Sequence, residues 1–227
     1  MLDSDVRDVL RTLYNCGAIG IDTKKGFELK VHRTDPNQPL SPIYFNLRTA
    51  DNPKPGPLTW DIVSKIGKLL FEKSESLTGN KYDSICGIPN AGTPFAQAFA
   101  QYFYHKYGKF PPIIQLKKLP NDCGMQVVGG TKSKSRRSIL IDDVISKALS
   151  KLEATAALEE VGDIVSYILV FLDRQKKEAN ILRNHNYLVS SVVSVEDALV
   201  FYRDETIISS SDVDRVLGYL QIEGCAS

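Results

Sequence analysis

A chain of 227 residues, 43% hydrophobic and 24% charged, can bury a sizeable core in one large domain or in a domain with a small appendage. Its formal charge of +1 argues against a general nucleic-acid binder, which would carry a clear basic excess. Cysteines at 16, 86, 123 and 225 show no CxxC spacing, so neither a zinc ribbon nor a disulfide scaffold is expected, and reducing cytoplasm is the natural compartment.

The start, MLDSDVRDVL, is acidic where a signal peptide would be basic, and no apolar run approaches the ~20 residues of a membrane span. Residues 3–15 read as a short helix, followed by turns at Gly17 and Gly20. GFELKV and IYFNLR are two candidate strands on either side of the Pro/Asn-rich stretch 33–42. Residues 1–57 thus form a small N-terminal hood.

After 57 the pattern changes. Residues 58–74 repeat apolar at Ile62, Ile66, Leu69 and Leu70, a helical period with Thr59 as a candidate cap. Strand 82–89, helix 92–108 closing at Gly108, strand 111–118 and strand 137–141 follow. A helix over 149–162, a strand over 164–173, a helix from Lys176 to Asn186 and a strand over 187–193 continue the alternation. Ser194 and Asp197 stand in capping-box spacing before a helix at 194–202, and Ser211 and Asp214 repeat it before a last helix at 211–221. The chain divides into the hood at 1–57, an α/β core at 58–205 and a C-terminal helix at 206–227.

The core strands are continuously apolar, the mark of burial on both faces, so a mainly parallel sheet of about five strands flanked by helices is expected. Ligands in that architecture sit beyond the carboxyl ends of the strands. Asp142 and Asp143 fall at one such end, in RRSILIDDVISKALSKLEA. Two carboxylates cannot be buried there without partners. One reading is a capping aspartate with a salt-bridged neighbour. The other is a ligand site: the helix start near 147–150 offers N–H groups to a phosphate, and the carboxylates would hold ribose hydroxyls or a magnesium shared with a pyrophosphate. The basic run KSKSRR (132–137) reads as a solvated loop, and no GxGxxG or P-loop occurs. Histidines 32, 105 and 185 lie in unrelated contexts, so no structural metal site is expected.

SILIDDVISKALS (138–150) resembles the phosphoribosyl-pyrophosphate (PRPP) signature of type I phosphoribosyltransferases. FELK (27–30), SPIYFNLR (41–48), YDSICGIPNAGTPFA (82–96) and LVFLDRQ (169–175) resemble, in order, landmarks of orotate phosphoribosyltransferase. The resemblance implies transfer of phosphoribose from PRPP to orotate with Mg2+, in a cytoplasmic homodimer that binds neither nucleic acid nor membrane. It sets Lys30 and Arg174 against orotate, Asp142 and Asp143 on the PRPP ribose, and Lys117 and Lys118 as the cationic pair that opens the catalytic loop. Asn90, Ala91 and Gly92 would lie beneath the pyrophosphate, and Ser146, Lys147, Ala148, Leu149 and Ser150 around the 5′-phosphate.

Two segments depart from the family pattern. In LKKLPNDCG (116–124) Asn121 stands where the family has its catalytic lysine and Cys123 where a histidine is usual. Such a lysine neutralises charge on departing pyrophosphate, which asparagine cannot do. In the phosphate turn Lys147, Ala148 and Leu149 replace a small residue, glycine and threonine. Ala148 enters a left-handed conformation only at a cost, and Leu149 brings no hydroxyl. An active enzyme, a non-catalytic PRPP- or nucleotide-binding relative and a phosphoribosyltransferase for another base all remain open.

Overall fold

The computed structural model describes residues 2–29, 32, 35–78, 81–120, 123–129, 134–145, 148–174 and 176–225. In chain order its elements are α1 (Ser4–Asn15), β1 (Ile19–Ile21), β2 (Ile43–Phe45), α2 (Trp60–Thr78), β3 (Ser84–Gly87), α3 (Gly92–Tyr107), β4 (Ile113–Lys118) and β5 (Met125–Val127). Then come β6 (Arg137–Ile145), α4 (Leu149–Glu160), β7 (Ile164–Asp173), α5 (Lys176–Asn184), β8 (Leu188–Ser194), α6 (Val195–Asp204) and α7 (Ser210–Cys225).

A six-stranded sheet in the order β5-β4-β3-β6-β7-β8 forms the centre. Five of its strands run parallel, the inner β3, β6 and β7 buried on both faces, and only β5 pairs antiparallel, against β4. Alternate β6 side chains serve opposite faces. Ile139 and Ile141 join the cluster built from α2 and α3, while Leu140 packs with Ala154, Ala157 and Leu158 of α4. The resulting architecture is an α/β fold with a mixed, mainly parallel sheet flanked by helices, like that of type I phosphoribosyltransferases.

α1 turns Val6, Val9, Leu10 and Leu13 inward, at spacings that put them on one helical stripe. They join the same core cluster as α2, α3 and α6, and the Tyr202 hydroxyl of α6 donates to the Leu10 carbonyl at 2.8 Å. The hood is therefore packed into the core rather than tethered beside it. Its two-stranded sheet pairs β1 with β2, and the described part of the candidate strand GFELKV, residues 26–29, shows one bridge, between Phe27 and Ser41. β1 carries only three residues, too few for alternation to register.

Other expectations need adjustment. The stretch after Lys118, expected as the catalytic loop, contains a strand among its described residues: Leu119 N–H donates to the Gly124 carbonyl at 2.9 Å, and β5 returns antiparallel beside β4. The cap of α6 forms as read, with Ser194 accepting from Asp197 N–H at 3.0 Å. For α7 the cap lies two residues earlier, where Ser209 and Asp212 exchange side-chain to backbone bonds at 3.2 and 3.0 Å.

Candidate active site

From β3 the chain moves to β4 on one side and then crosses to β6 on the other, so the sheet order reverses at β3 and β6. Their carboxyl ends lie side by side, with Gly87 opposite Ile141 and Ile88 N–H donating to the Ile141 carbonyl at 2.9 Å. The loop from Gly87 to Gly92, which includes a cis Pro89–Asn90 peptide, folds back onto this point. A Cβ on Gly92 would sit 2.4 Å from the Ile141 carbonyl and 3.1 Å from Asp142 Oδ1. Glycine is what lets α3 begin against the end of β6.

A cavity of about 510 Å³ opens there. The sheet side supplies Asn90, Ala91, Lys118, Asp142, Asp143, Ser150, Lys151 and Arg174; the hood supplies Leu29, Tyr44, Phe45, Arg48, Asn52 and Lys54. Five cationic side chains (Arg48, Lys54, Lys118, Lys151 and Arg174) thus face two acidic ones across the same space. Concentrating positive charge in a concave, partly dry site favours a ligand with several negative charges. The helix starts of α3 and α4 add to this, since neither Ala91 nor Ala148 caps its helix with a side chain.

The acidic pair is unevenly shared. Asp142 is 5% exposed, and its Oδ2 lies 2.6 Å from the Nζ of Lys151, itself 3% exposed. The same ammonium donates to the Val144 carbonyl at 2.6 Å. Asp143 is only partly buried, and its Oδ1 accepts from Val144 N–H at 2.7 Å. Burial and the adjacent Asp142 charge push its carboxyl up to about 7, against the pull of Lys151 and the Val144 N–H. The structure contains both the salt-bridged aspartate and the cavity-facing one that the sequence left as alternatives.

The cationic pair is also split. Lys118 lines the cavity, whereas Lys117 is exposed opposite Gln126 and off the cavity wall, because neighbouring strand residues point to opposite faces. Ala148 is buried at φ −68° and ψ −27°, so the right-handed turn avoids the strain anticipated for an alanine there. Leu149 is 63% exposed, neither filling the cavity nor lining it. Gly92 contacts the acidic pair from behind rather than from the cavity. Lys30, Asn121, Ser146 and Lys147 lie outside the described residues.

Sequence reasoning missed Tyr44, Phe45, Arg48, Asn52, Lys54 and Lys151. A signal existed for Lys151: it precedes the inward-facing Ala154 and Leu158 by three and seven residues, on the buried stripe of α4. The hood residues come from a segment whose return over the sheet no local pattern reports.

The acidic pair does not fit a directly bound magnesium ion as arranged. The Lys151 ammonium holds the cation position against Asp142, and among the described residues no three His, Cys, Asp or Glu side chains gather as a metal site. No helix among the described residues is long and apolar enough to cross a membrane.

No protein-family model matches the chain. It is similar to bovine uridine 5′-monophosphate synthase, at 23% identity over 181 residues, covering 80% of this chain and 35% of that one. Orotate phosphoribosyltransferase of Sordaria macrospora is 31% identical over 155 residues, covering 66% of this chain and 62% of the relative. Among solved structures, Leishmania donovani UMP synthase superposes with a TM-score of 0.69 at 24% identity, over 96% of this chain and 42% of that one. The chain therefore spans about a third to three fifths of the length of these relatives. Sequence similarity and fold together support its place in the type I phosphoribosyltransferase superfamily.

Proposed function

We propose that this cavity binds PRPP and transfers its phosphoribosyl group to orotate. The observation that carries the reading is the five cationic side chains around one cavity at the switch point of the sheet. In the proposed reaction orotate N1 bonds to C1′ as the bond from C1′ to the pyrophosphate oxygen breaks, and the N1 proton is released to water or to the departing pyrophosphate. The products are orotidine 5′-monophosphate and pyrophosphate.

Charge accumulates on the departing pyrophosphate, and Lys118 with Arg48 and Lys54 stands ready to balance it. Asp143 offers a carboxyl group to the ribose hydroxyls. Arg174, at the end of β7, presents a rigid donor fork suited to the orotate carboxylate, and Tyr44 and Phe45 supply apolar wall for a planar ring. Roles for Lys30, Ser146 and Lys147 rest on the family resemblance alone. So does a homodimer, which sedimentation equilibrium would contradict by returning the monomer mass of 25.2 kDa.

A second reading has its own support. Asn121 brings no charge where the family has a lysine, and Lys151 occupies half of the acidic pair, which together favour a PRPP- or nucleotide-binding relative without turnover. Loss of orotate absorbance with PRPP, run beside Asn121→Lys, separates the two. The expected result is weak orotate-dependent turnover raised by the substitution, since one charge-stabilising donor contributes about 3–4 kcal/mol. No turnover in either protein, with PRPP still bound, would favour the non-catalytic reading; activity on another base would discard orotate.

A further inference from the structure

We propose that Lys151 is a built-in counter-cation of the acidic pair, so that the cavity recognises its phosphoribosyl ligand without a divalent metal at Asp142 and Asp143. The second half of this statement rests on the phosphoribosyl reading above; the first does not.

Lys151 sits where a lysine is doubly disfavoured. It is 3% exposed, which strips its ammonium of water, and it occupies the first turn of α4, where the helix dipole repels positive charge. Only specific partners offset those costs, and the structure shows two short ones beside a longer contact to Ser150 Oγ at 3.5 Å. Nζ reaches Asp142 Oδ2 and the Val144 carbonyl, each at 2.6 Å. The carbonyl matters because it belongs to β6 two residues past Asp142. Lysine therefore bridges the strand end to the helix start and fixes the acid pair to the turn between them.

Asp142 is closed on its other side as well. Its Oδ1 lies beside the backbone at Gly92, 3.1 Å from where a Cβ on that residue would sit, so the oxygen that Lys151 holds is the one on the helix side. An ammonium with three donors delivers one positive charge without ordering several waters. With Asp142 neutralised internally, Asp143 is the carboxyl left for ribose hydroxyls, and Lys118, Arg48 and Lys54 line the same cavity to meet the phosphates.

The test has two arms. In the first, Mn2+ is titrated into ligand-free protein and followed by electron paramagnetic resonance. Wild type should show no site at the acidic pair. Lys151→Met should gain one, and Lys151→Met/Asp142→Asn should lose it again. A wild-type Mn2+ site abolished by the double substitution would overturn the proposal. If Lys151→Met fails to fold, Lys151→Gln keeps a donor to the Val144 carbonyl and serves in its place.

In the second arm, PRPP is titrated calorimetrically in EDTA and in Mg2+. Wild-type affinities should agree within about threefold, whereas Lys151→Met should bind at least about tenfold more weakly in EDTA and recover in Mg2+. A wild-type gain of more than about tenfold on adding Mg2+ would also overturn the proposal. Absence of PRPP binding in both buffers would defeat the phosphoribosyl reading and the metal-free recognition built on it, while the Mn2+ arm decides the role of Lys151 by itself.

Discussion

Two buried ion pairs lie at opposite ends of β6, and their surroundings differ in kind. At the amino end Arg136 meets Asp163 through two parallel bonds of 3.0 Å, and Ser138 Oγ adds a third to the same carboxylate. Ser84 and Ser138 then join β3 to β6 at 2.8 Å. Both carboxylate oxygens of Asp163 are matched by a planar or hydroxyl donor, and neither Arg136 nor Asp163 lines the cavity at the other end of the strand. At the carboxyl end a point charge, Lys151, is paired with Asp142 and the Val144 carbonyl, and Asp143 is left beside them with a raised pKa. Both pairs have their desolvation cost, but only the second leaves charge directed into open space. A strand can thus carry a staple at one end and a site at the other.

Breaking the staple should have the largest effect on stability. Asp163→Ala removes the buried carboxylate that Arg136 and Ser138 share, and with Arg136 itself partly exposed the cost falls at the lower end of the buried-pair range, about 3 kcal/mol. For a chain of this size the thermal midpoint should fall by roughly 10 °C, with little change in ligand affinity for the protein that remains folded. A loss under about 1 kcal/mol would show that the amino-end pair is not structural.

Gly92→Ala sharpens the contrast from the other end. The added Cβ would lie 2.4 Å from the Ile141 carbonyl, a backbone atom that cannot swing aside. Overpacking of this kind costs about 1–3 kcal/mol, and here it should also weaken PRPP binding because the displaced backbone carries Asp142. Calorimetry paired with thermal melts reads both. Unchanged binding and stability would mean that the loop can withdraw from β6.

The Asp143 carboxyl makes the carboxyl end sensitive to pH. Its folded pKa of about 7 lies above the ordinary 3.8, so the folded chain holds this proton more tightly than the unfolded one. The associated stability is fully present below about pH 4 and is lost as the pH rises through about 7. Urea melts should show wild type losing about 2–3 kcal/mol from this source between pH 5 and pH 8, a loss absent in Asp143→Asn. Equal slopes in the two proteins would place the titration elsewhere.

The smallest effect is expected at Lys117. Exposed and off the cavity wall, it should change PRPP affinity by less than about 0.5 kcal/mol when replaced by alanine, whereas Lys118→Ala should weaken binding and reduce its salt dependence. Equal losses at both positions would contradict the alternation of β4.

Much of the scaffold was legible in the sequence because its signals are local. Gly108 closes α3 in the left-handed conformation, at φ +68°, and Ser194 caps α6 as their positions suggest. Continuous apolar runs identified the inner strands. β1 and β5 were missed because three residues, such as Met125–Val127, carry no period. The α7 cap was displaced because Ser209, Ser210 and Ser211 offer the same chemistry at three consecutive positions. At the site, the aspartate pair announced itself by following an apolar strand. Lys151 carries a weaker signal, its place on the inward stripe of α4 with Ala154 and Leu158. Arg48 and Lys54 reach the cavity only through the return of the hood, a tertiary fact that no short stretch encodes.

The claim that the carboxyl end of β6 opens a phosphoribosyl site is tested most directly by titrating PRPP into wild type and Asp143→Asn and following the heat. One equivalent should bind to wild type, more weakly as salt rises and in competition with orotidine 5′-monophosphate, and Asp143→Asn should lose at least several-fold in affinity while melting cooperatively. No heat at millimolar PRPP, or equal affinity in the two proteins, would contradict the account.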